Sequence, residues 1–427
     1  MKKILLSLIL VLSLCACAPE KPIEDVYTYT NGVIEEISNG IITVNTDNER
    51  TEIAYNDAKA SDIGRNITIE YKNGIIENVD IYGIPFESEA QDIVEKMTLE
   101  EKIGQLFLVK YPYSGAEEIA SNYNVGGFVL FAKEFQNETP ESMLEKISLC
   151  QQASAYPLLM AVDEEGGEVV RVSSFPQFRE TPFPSPSRLY KNGGLEAVKD
   201  DTHEKSELLK SIGINVNLAP VADVSTDKND YIFYRTTGLD AKGTADYIKA
   251  VVSVMNEEKI GSVLKHFPGY GNNSDTHTGI AVDKRDYNTF LTGDFLPFIA
   301  GIENGADSIL VSHNIVEAID AERPASLSPK AHDILRNVLG FKGVVITDDL
   351  DMDAVTQYTD SEGAAIDAIK AGNDMVICSD YEAQINAVKN AVNNGQISEE
   401  IINKAATRVI IWKIKLGIIE GGVIFEA

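Results

Sequence analysis

Apolar residues follow two different rhythms along this chain. From Val26 to Gly83 they alternate with polar ones in short runs: "VYTYT", "GVIEEI", "GIITVN", "RTEIAY", "NITIEY" and "IIENVDIY". A period of two turns one face of a strand inward and the other to water. Asn-Gly pairs at Asn31-Gly32, Asn39-Gly40 and Asn73-Gly74 separate several of these runs. Asn-Gly between alternating runs signals a hairpin, because a primed two-residue turn needs positive φ at both positions. Residues 26–83 therefore predict a small all-β domain, a compact barrel or a meander, suited to spacing or weak binding. "IPFESEAQ", residues 84–91, reads as a linker.

From residue 92 to 427 the rhythm changes. Apolar runs occur at 105–109, 127–131, 158–162, 215–219, 262–266, 308–312, 344–347 and 374–378. Longer amphipathic stretches such as "THEKSELLKSIG" and "TADYIKAVVSVMNEE" lie between most of them. Short apolar strands alternating with helices imply a parallel sheet. Eight in this length predict a (β/α)8, TIM-like barrel, with a doubly wound sheet as the competing arrangement. The ends of the runs favour the barrel. Asp163 follows the third run, Pro220 and Asp223 the fourth, Lys265-His266 close the fifth, His313 follows the sixth, and Asp348-Asp349 the seventh. Ionisable groups at one strand end after another are what a barrel enzyme needs, since its chemistry sits where strands terminate. His313 fits a satisfied core histidine equally well.

Composition adds exclusions. The 427 residues carry a net charge of −29, which argues against a nucleic-acid partner, because phosphates call for a basic surface. No CxxC or His-rich spacing points to a metal. A Gly-rich phosphate cradle after a strand and a GxSxG elbow are both missing, so neither nucleotide nor elbow-serine chemistry is indicated, and no cofactor is expected. The N-terminus, "MKKILLSLILVLSLCACAPE", has a basic start and an apolar core too short for a comfortable membrane span. Residues 1–16 thus read as a signal peptide and "LCAC" resembles a lipobox. Cys17 is then the expected lipidation site, residues 17–25 a tether, and the protein an exported lipoprotein held at the extracytoplasmic face of the membrane. Cys150 and Cys378 lie in or near apolar segments and read as two buried thiols.

Carboxylates at strand ends suit glycoside hydrolysis, which needs a nucleophile or base at the anomeric carbon and an acid for the leaving oxygen. At this point "VDEEGGEVVRV", "KHFPGYG" and "ITDDLDM" resemble glycoside hydrolase family 3, in its β-N-acetylglucosaminidase (NagZ-like) branch. "NVNLAPVADV", "PASLSPKAHDILRNVLGFKGVVITDD" and "AATRVIIWKIKLG" also look like family segments, so the resemblance runs over about residues 88–420. It implies Asp348 as nucleophile, with Asp349 in support. It implies Asp163, Arg171, Arg235, Lys265 and His266 as sugar-binding residues. For the acid/base it implies a loop pair, Asp275 and His277, from a pattern D-S-H that reads Asp275-Thr276-His277 here. An imidazolium can deliver a proton near neutral pH, and the Gly, Asn and Thr around it let the loop move over bound sugar. Tyr270 stands where the branch has His, Asn272 where it has Asp, and the loop is one residue shorter. The expectation is a retaining exo-β-N-acetylglucosaminidase (β-N-acetylhexosaminidase) acting on carbohydrate, namely terminal GlcNAc of peptidoglycan fragments. A phosphorylase or β-glucosidase of the same family, or a non-catalytic glycan-binding surface lipoprotein, are the alternatives.

Overall fold

The computed structural model describes residues 27–38, 40–46, 50–58, 62–273 and 279–419. The N-terminal unit is a five-stranded antiparallel sheet of β1 (Tyr27–Ser38), β2 (Ile41–Asn45), β3 (Arg50–Ala54), β4 (Asn66–Lys72) and β5 (Ile75–Tyr82). Ile34, Ile42, Val44, Ile53, Ile67 and Ile69 form its core. Its strand order is β3-β2-β1-β4-β5, so it is neither the closed barrel nor the meander expected. Alternation records which face is buried, not which strands are neighbours.

Two of the three Asn-Gly pairs fall at hairpins. Asn73 and Gly74 both have positive φ, +52° and +81°, in the turn between β4 and β5. Ser38 pairs with Ile41 around the second, whose Asn39 lies outside the described residues. Asn31-Gly32 is not a turn; it lies inside β1, which merges two of the runs read as separate strands. Residues 27–33 of β1 pair with β4 and residues 33–38 with β2. Gly32 sits at this hand-over, where a Cβ would lie 2.4 Å from the Asn45 carbonyl oxygen. Glycine here answers a close backbone approach rather than a turn.

The linker is shorter than 84–91, because a helix, Glu87–Lys96, starts inside it. Its buried Ala90, Ile93 and Val94 recur at helical spacing, and it packs on the C-terminal helix Glu399–Lys415. Thr98 and Glu101 then form a reciprocal capping box that starts the helix leading into the barrel.

The barrel strands are β6 (Phe107–Lys110), β7 (Gly127–Leu130), β8 (Leu159–Val162), β9 (Val216–Asn217), β10 (Gly261–Phe267), β12 (Ser308–Val311), β14 (Val344–Asp349) and β15 (Met375–Cys378). Between β10 and β12 runs β11 (Val282–Asp283), which pairs with β13 (Ile315–Val316) outside the barrel. All eight barrel strands are parallel and neighbour one another in chain order until β9 meets β10 and β15 meets β6. Each coincides with one of the eight apolar runs. Leu108, Val129, Leu159, Leu218, Val263, Leu310, Ile346 and Ile377 help fill the interior, and Val409, Trp412 and Leu416 of the C-terminal region join that cluster. The interior is thus a packed core, and the chemistry is confined to its mouth. Cys150 and Cys378 are both buried free thiols. Among the described residues no helix is long and apolar enough to cross a membrane.

Candidate active site

At the carboxyl ends of the strands lies a cleft enclosing about 1160 Å³ of open space. Asp163, Arg171, Arg235, Lys265, His266, Asp348 and Asp349 all line it, with Phe131 and Tyr231. Residues as far apart in sequence as Asp163 and Asp349 therefore meet, because consecutive parallel strands deliver their ends to one rim.

One wall is a charge network. The Lys265 ammonium lies 2.6 Å from Asp163 Oδ1 and 2.6 Å from Glu165 Oε1. Arg235 donates from Nε to Glu165 Oε2 (3.0 Å) and from Nη2 to Glu165 Oε1 (2.7 Å). Arg235 Nη2 also lies 3.2 Å from His266 Nε2. The other ring nitrogen, Nδ1, is 2.7 Å from Asp223 Oδ2. Asp223 also accepts from the backbone N–H groups of His266 and Tyr270. Burial opposes the Glu165 charge, yet Arg235 and Lys265 outweigh it and hold the carboxyl far below its usual range. Burial likewise opposes the Lys265 charge, and Asp163 and Glu165 overcome it, so its pKa is raised. The site is thus built to keep two cations charged in a dry wall.

Sequence reasoning misses Glu165 and gives Asp223 only a place at a strand end. The acidic cluster "VDEEGG" was the available signal. Its three carboxylates do different work. Asp163 faces the cleft and Glu165 holds the cations. Glu164, fully buried, accepts from the backbone N–H groups of Arg171 and Val172 at 2.8 and 2.7 Å and from the Ser173 hydroxyl. That bond set folds the loop so that Arg171 reaches the cleft. Arg171 Nε is buried with no hydrogen-bond partner among the described residues.

The opposite wall carries Asp348 and Asp349 at the end of β14. The Asp349 N–H donates to Asp348 Oδ1 (2.8 Å). Asp349 Oδ2 lies 2.5 Å from Lys110 Nζ, at the end of β6. His313, fully buried, lies with Nε2 2.9 Å from the Asp349 carbonyl oxygen and Nδ1 2.7 Å from Ser326 Oγ. A carbonyl only accepts, so Nε2 carries the proton. His313 therefore braces the turn behind the carboxylates without lining the cleft.

Asp275 and His277 lie outside the described residues, as does Cys17. The flanks of their loop are described. Gly271 has φ +54°, and a Cβ there would lie 2.4 Å from the Arg285 guanidinium carbon. Arg285 bonds Asp283 (2.7 Å), Asp294 (3.0 Å) and the Gly269 carbonyl (3.0 Å). Asn273 donates to the Tyr270 carbonyl and to Asp283. Burial pushes Asp294 up to about 6 in spite of Arg285. Tyr270 is buried with Val221 and Ile232 and packs edge-on against the His266 ring, centroids 5.3 Å apart. The departure from His to Tyr thus sits in packing behind His266. Among the described residues no group of three or more His, Cys, Asp or Glu is arranged to hold a metal ion.

Fold and site together define a (β/α)8-barrel enzyme with carboxylates and cations at its mouth. Residues 98–411 match the profile described as glycosyl hydrolase family 3 N terminal domain, and the chain belongs to that family. A β-hexosaminidase of Nitrosomonas eutropha is 34% identical over 270 residues, 61% of this chain and 75% of that protein. A glycoside hydrolase family 3 β-N-acetylglucosaminidase from a Paenibacillus species superposes with a TM-score of 0.72 at 28% identity, over 76% of this chain. The match spans 64% of that larger protein. A β-N-acetylhexosaminidase from Beutenbergia cavernae superposes with a TM-score of 0.67 at 29% identity, over 74% of this chain and 98% of that one.

Proposed function

We propose that this family 3 glycoside hydrolase removes terminal β-linked N-acetylglucosamine by double displacement, with net retention. The observation that carries the reading is the convergence of Asp348 with Asp163, Arg171, Arg235, Lys265 and His266 on one cleft; the names of the relatives supply the sugar. Asp163 and the cations grip the sugar hydroxyls. An Asp348 carboxylate oxygen attacks the anomeric carbon while His277, charged and oriented by Asp275, gives its proton to the departing glycosidic oxygen. The glycosyl ester then yields to water, whose proton returns to His277. Peptidoglycan fragments are the proposed substrates, met by an exported enzyme anchored through Cys17; the apolar N-terminal run ending in "LCAC" supports that placement.

A nitrophenyl β-N-acetylglucosaminide tests the activity. Asp348→Ala folds normally and loses several orders of magnitude in rate, and a mechanism-based fluoro-sugar labels Asp348 in the wild type. Labelling at Asp349 or Asp163, or no turnover by the wild type, would falsify the reading. Product analysis with and without phosphate separates hydrolysis from phosphorolysis.

A further inference from the structure

Lys110 is not among the residues that line the cleft, yet it is a cation on the Asp348 side of it. Its Nζ bridges Asp349 Oδ2 (2.5 Å) and Asp351 Oδ2 (2.9 Å). Asp348, Asp349 and Asp351 thus crowd three carboxylates into four consecutive residues, with one ammonium among them. Each oxygen of Asp349 is engaged: Oδ1 accepts from the Asp351 N–H (3.0 Å) and Oδ2 from Lys110. Asp351 is held in turn by the Ser379 N–H and hydroxyl. His313, behind the turn, contacts the Asp349 carbonyl oxygen and Ser326 Oγ. Burial above all, with Asp351, Asp349 and Asp380 adding to it, keeps the Cys378 thiol protonated.

We propose that Lys110 is a positioning residue for the nucleophile: it pins the Asp349 carboxylate to the cleft wall and offsets its charge, so that at the end of β14 it is Asp348 that presents a negative charge to the sugar. Burial raises the Asp349 pKa and Lys110 works against that rise. Without the ammonium, Asp349 and Asp351 lose their shared cation beside Asp348, the three carboxylates titrate as a coupled set, and Asp348 holds its proton to higher pH. The inference rests on Asp348 being the nucleophile.

The test follows inactivation of the full chain by a fluoro-sugar with a fluoride leaving group. The Asp348 oxygen forms the ester bond as the carbon–fluorine bond breaks, and fluoride departs without a proton. The acid limb of the inactivation rate therefore reports the carboxylate set and not the loop histidine. In Lys110→Met that limb moves up by about 1 pH unit or more, the usual effect of losing a contact cation. Lys110→Arg keeps it in place. Asp351→Asn, which removes a competing carboxylate, moves it down, a sign that general damage does not produce. An unmoved limb in Lys110→Met, whatever happens to the plateau, overturns the proposal. Should that variant not fold, an unmoved or raised limb in Asp351→Asn does so. Wild-type labelling at a carboxylate other than Asp348 overturns the nucleophile reading, and this proposal with it, and peptide mapping tells the two failures apart.

Discussion

Glu165→Gln is nearly isosteric and removes one charge from the centre of the cation wall. The wild-type carboxylate, 4% exposed, receives three charged contacts: two from Arg235 at 3.0 and 2.7 Å and one from Lys265 at 2.6 Å. Removing one partner of a buried pair costs about 3–5 kcal/mol, because the remaining charges stay dry and uncompensated. Gln keeps one acceptor oxygen, so the expected loss is near the lower end, about 3 kcal/mol. Urea denaturation should show a lower midpoint at an unchanged slope. The pH dependence gives a second handle. The folded pKa of Glu165 lies below the ordinary 4.5, so its contribution is fully present above that value and is lost as pH falls toward the folded pKa. The gap between wild type and variant is therefore full at pH 7 and narrows below pH 4.5. A stability loss under about 1 kcal/mol, or a gap that fails to narrow in acid, would refute the idea that a charged Glu165 holds this wall. Activity should fall too, since Arg235 and Lys265 lose their common anchor.

Three further outcomes concern residues beyond the described segments. In His277→Ala, glycosyl-enzyme formation, read as a pre-steady-state burst, should slow severely for a disaccharide and mildly for a nitrophenyl glycoside. The difference should be about 10²–10⁴-fold, the usual worth of general acid help; equal losses on both substrates would make His277 a binding residue. Asp275→Ala should repeat the pattern more weakly. Cys17→Ser should move the protein from the membrane to the soluble exported fraction, since two acyl chains anchor stably where one does not; unchanged membrane association would count against lipidation there.

Much of the architecture was legible because it is written in local periodicity. The eight barrel strands are largely buried on both faces, so each appears as a short apolar run, and their order in the barrel is their order in the chain. Site residues that close or follow such runs, as Lys265-His266, Asp163 and Asp348 do, stand out for the same reason. The small sheet was legible only as strands. Its pairing depends on a long strand that changes partners at Val33, beside Asn31-Gly32, and an Asn-Gly pair inside a strand reads like one at a turn.

The barrel, the family motifs and the rim positions are properties of neighbouring residues and can be read along the chain. What those positions touch is set when the chain folds. Glu164, Glu165 and Asp163 are near-identical neighbours in the chain, yet one organises a loop, one holds two cations and one faces the cleft. Lys110 and Asp349 are separated by most of the barrel sequence and meet because β15, the last strand, closes against β6, the first. Charge pairing depends on distances of a few ångströms and on burial, and both arise when the ring closes rather than along the chain.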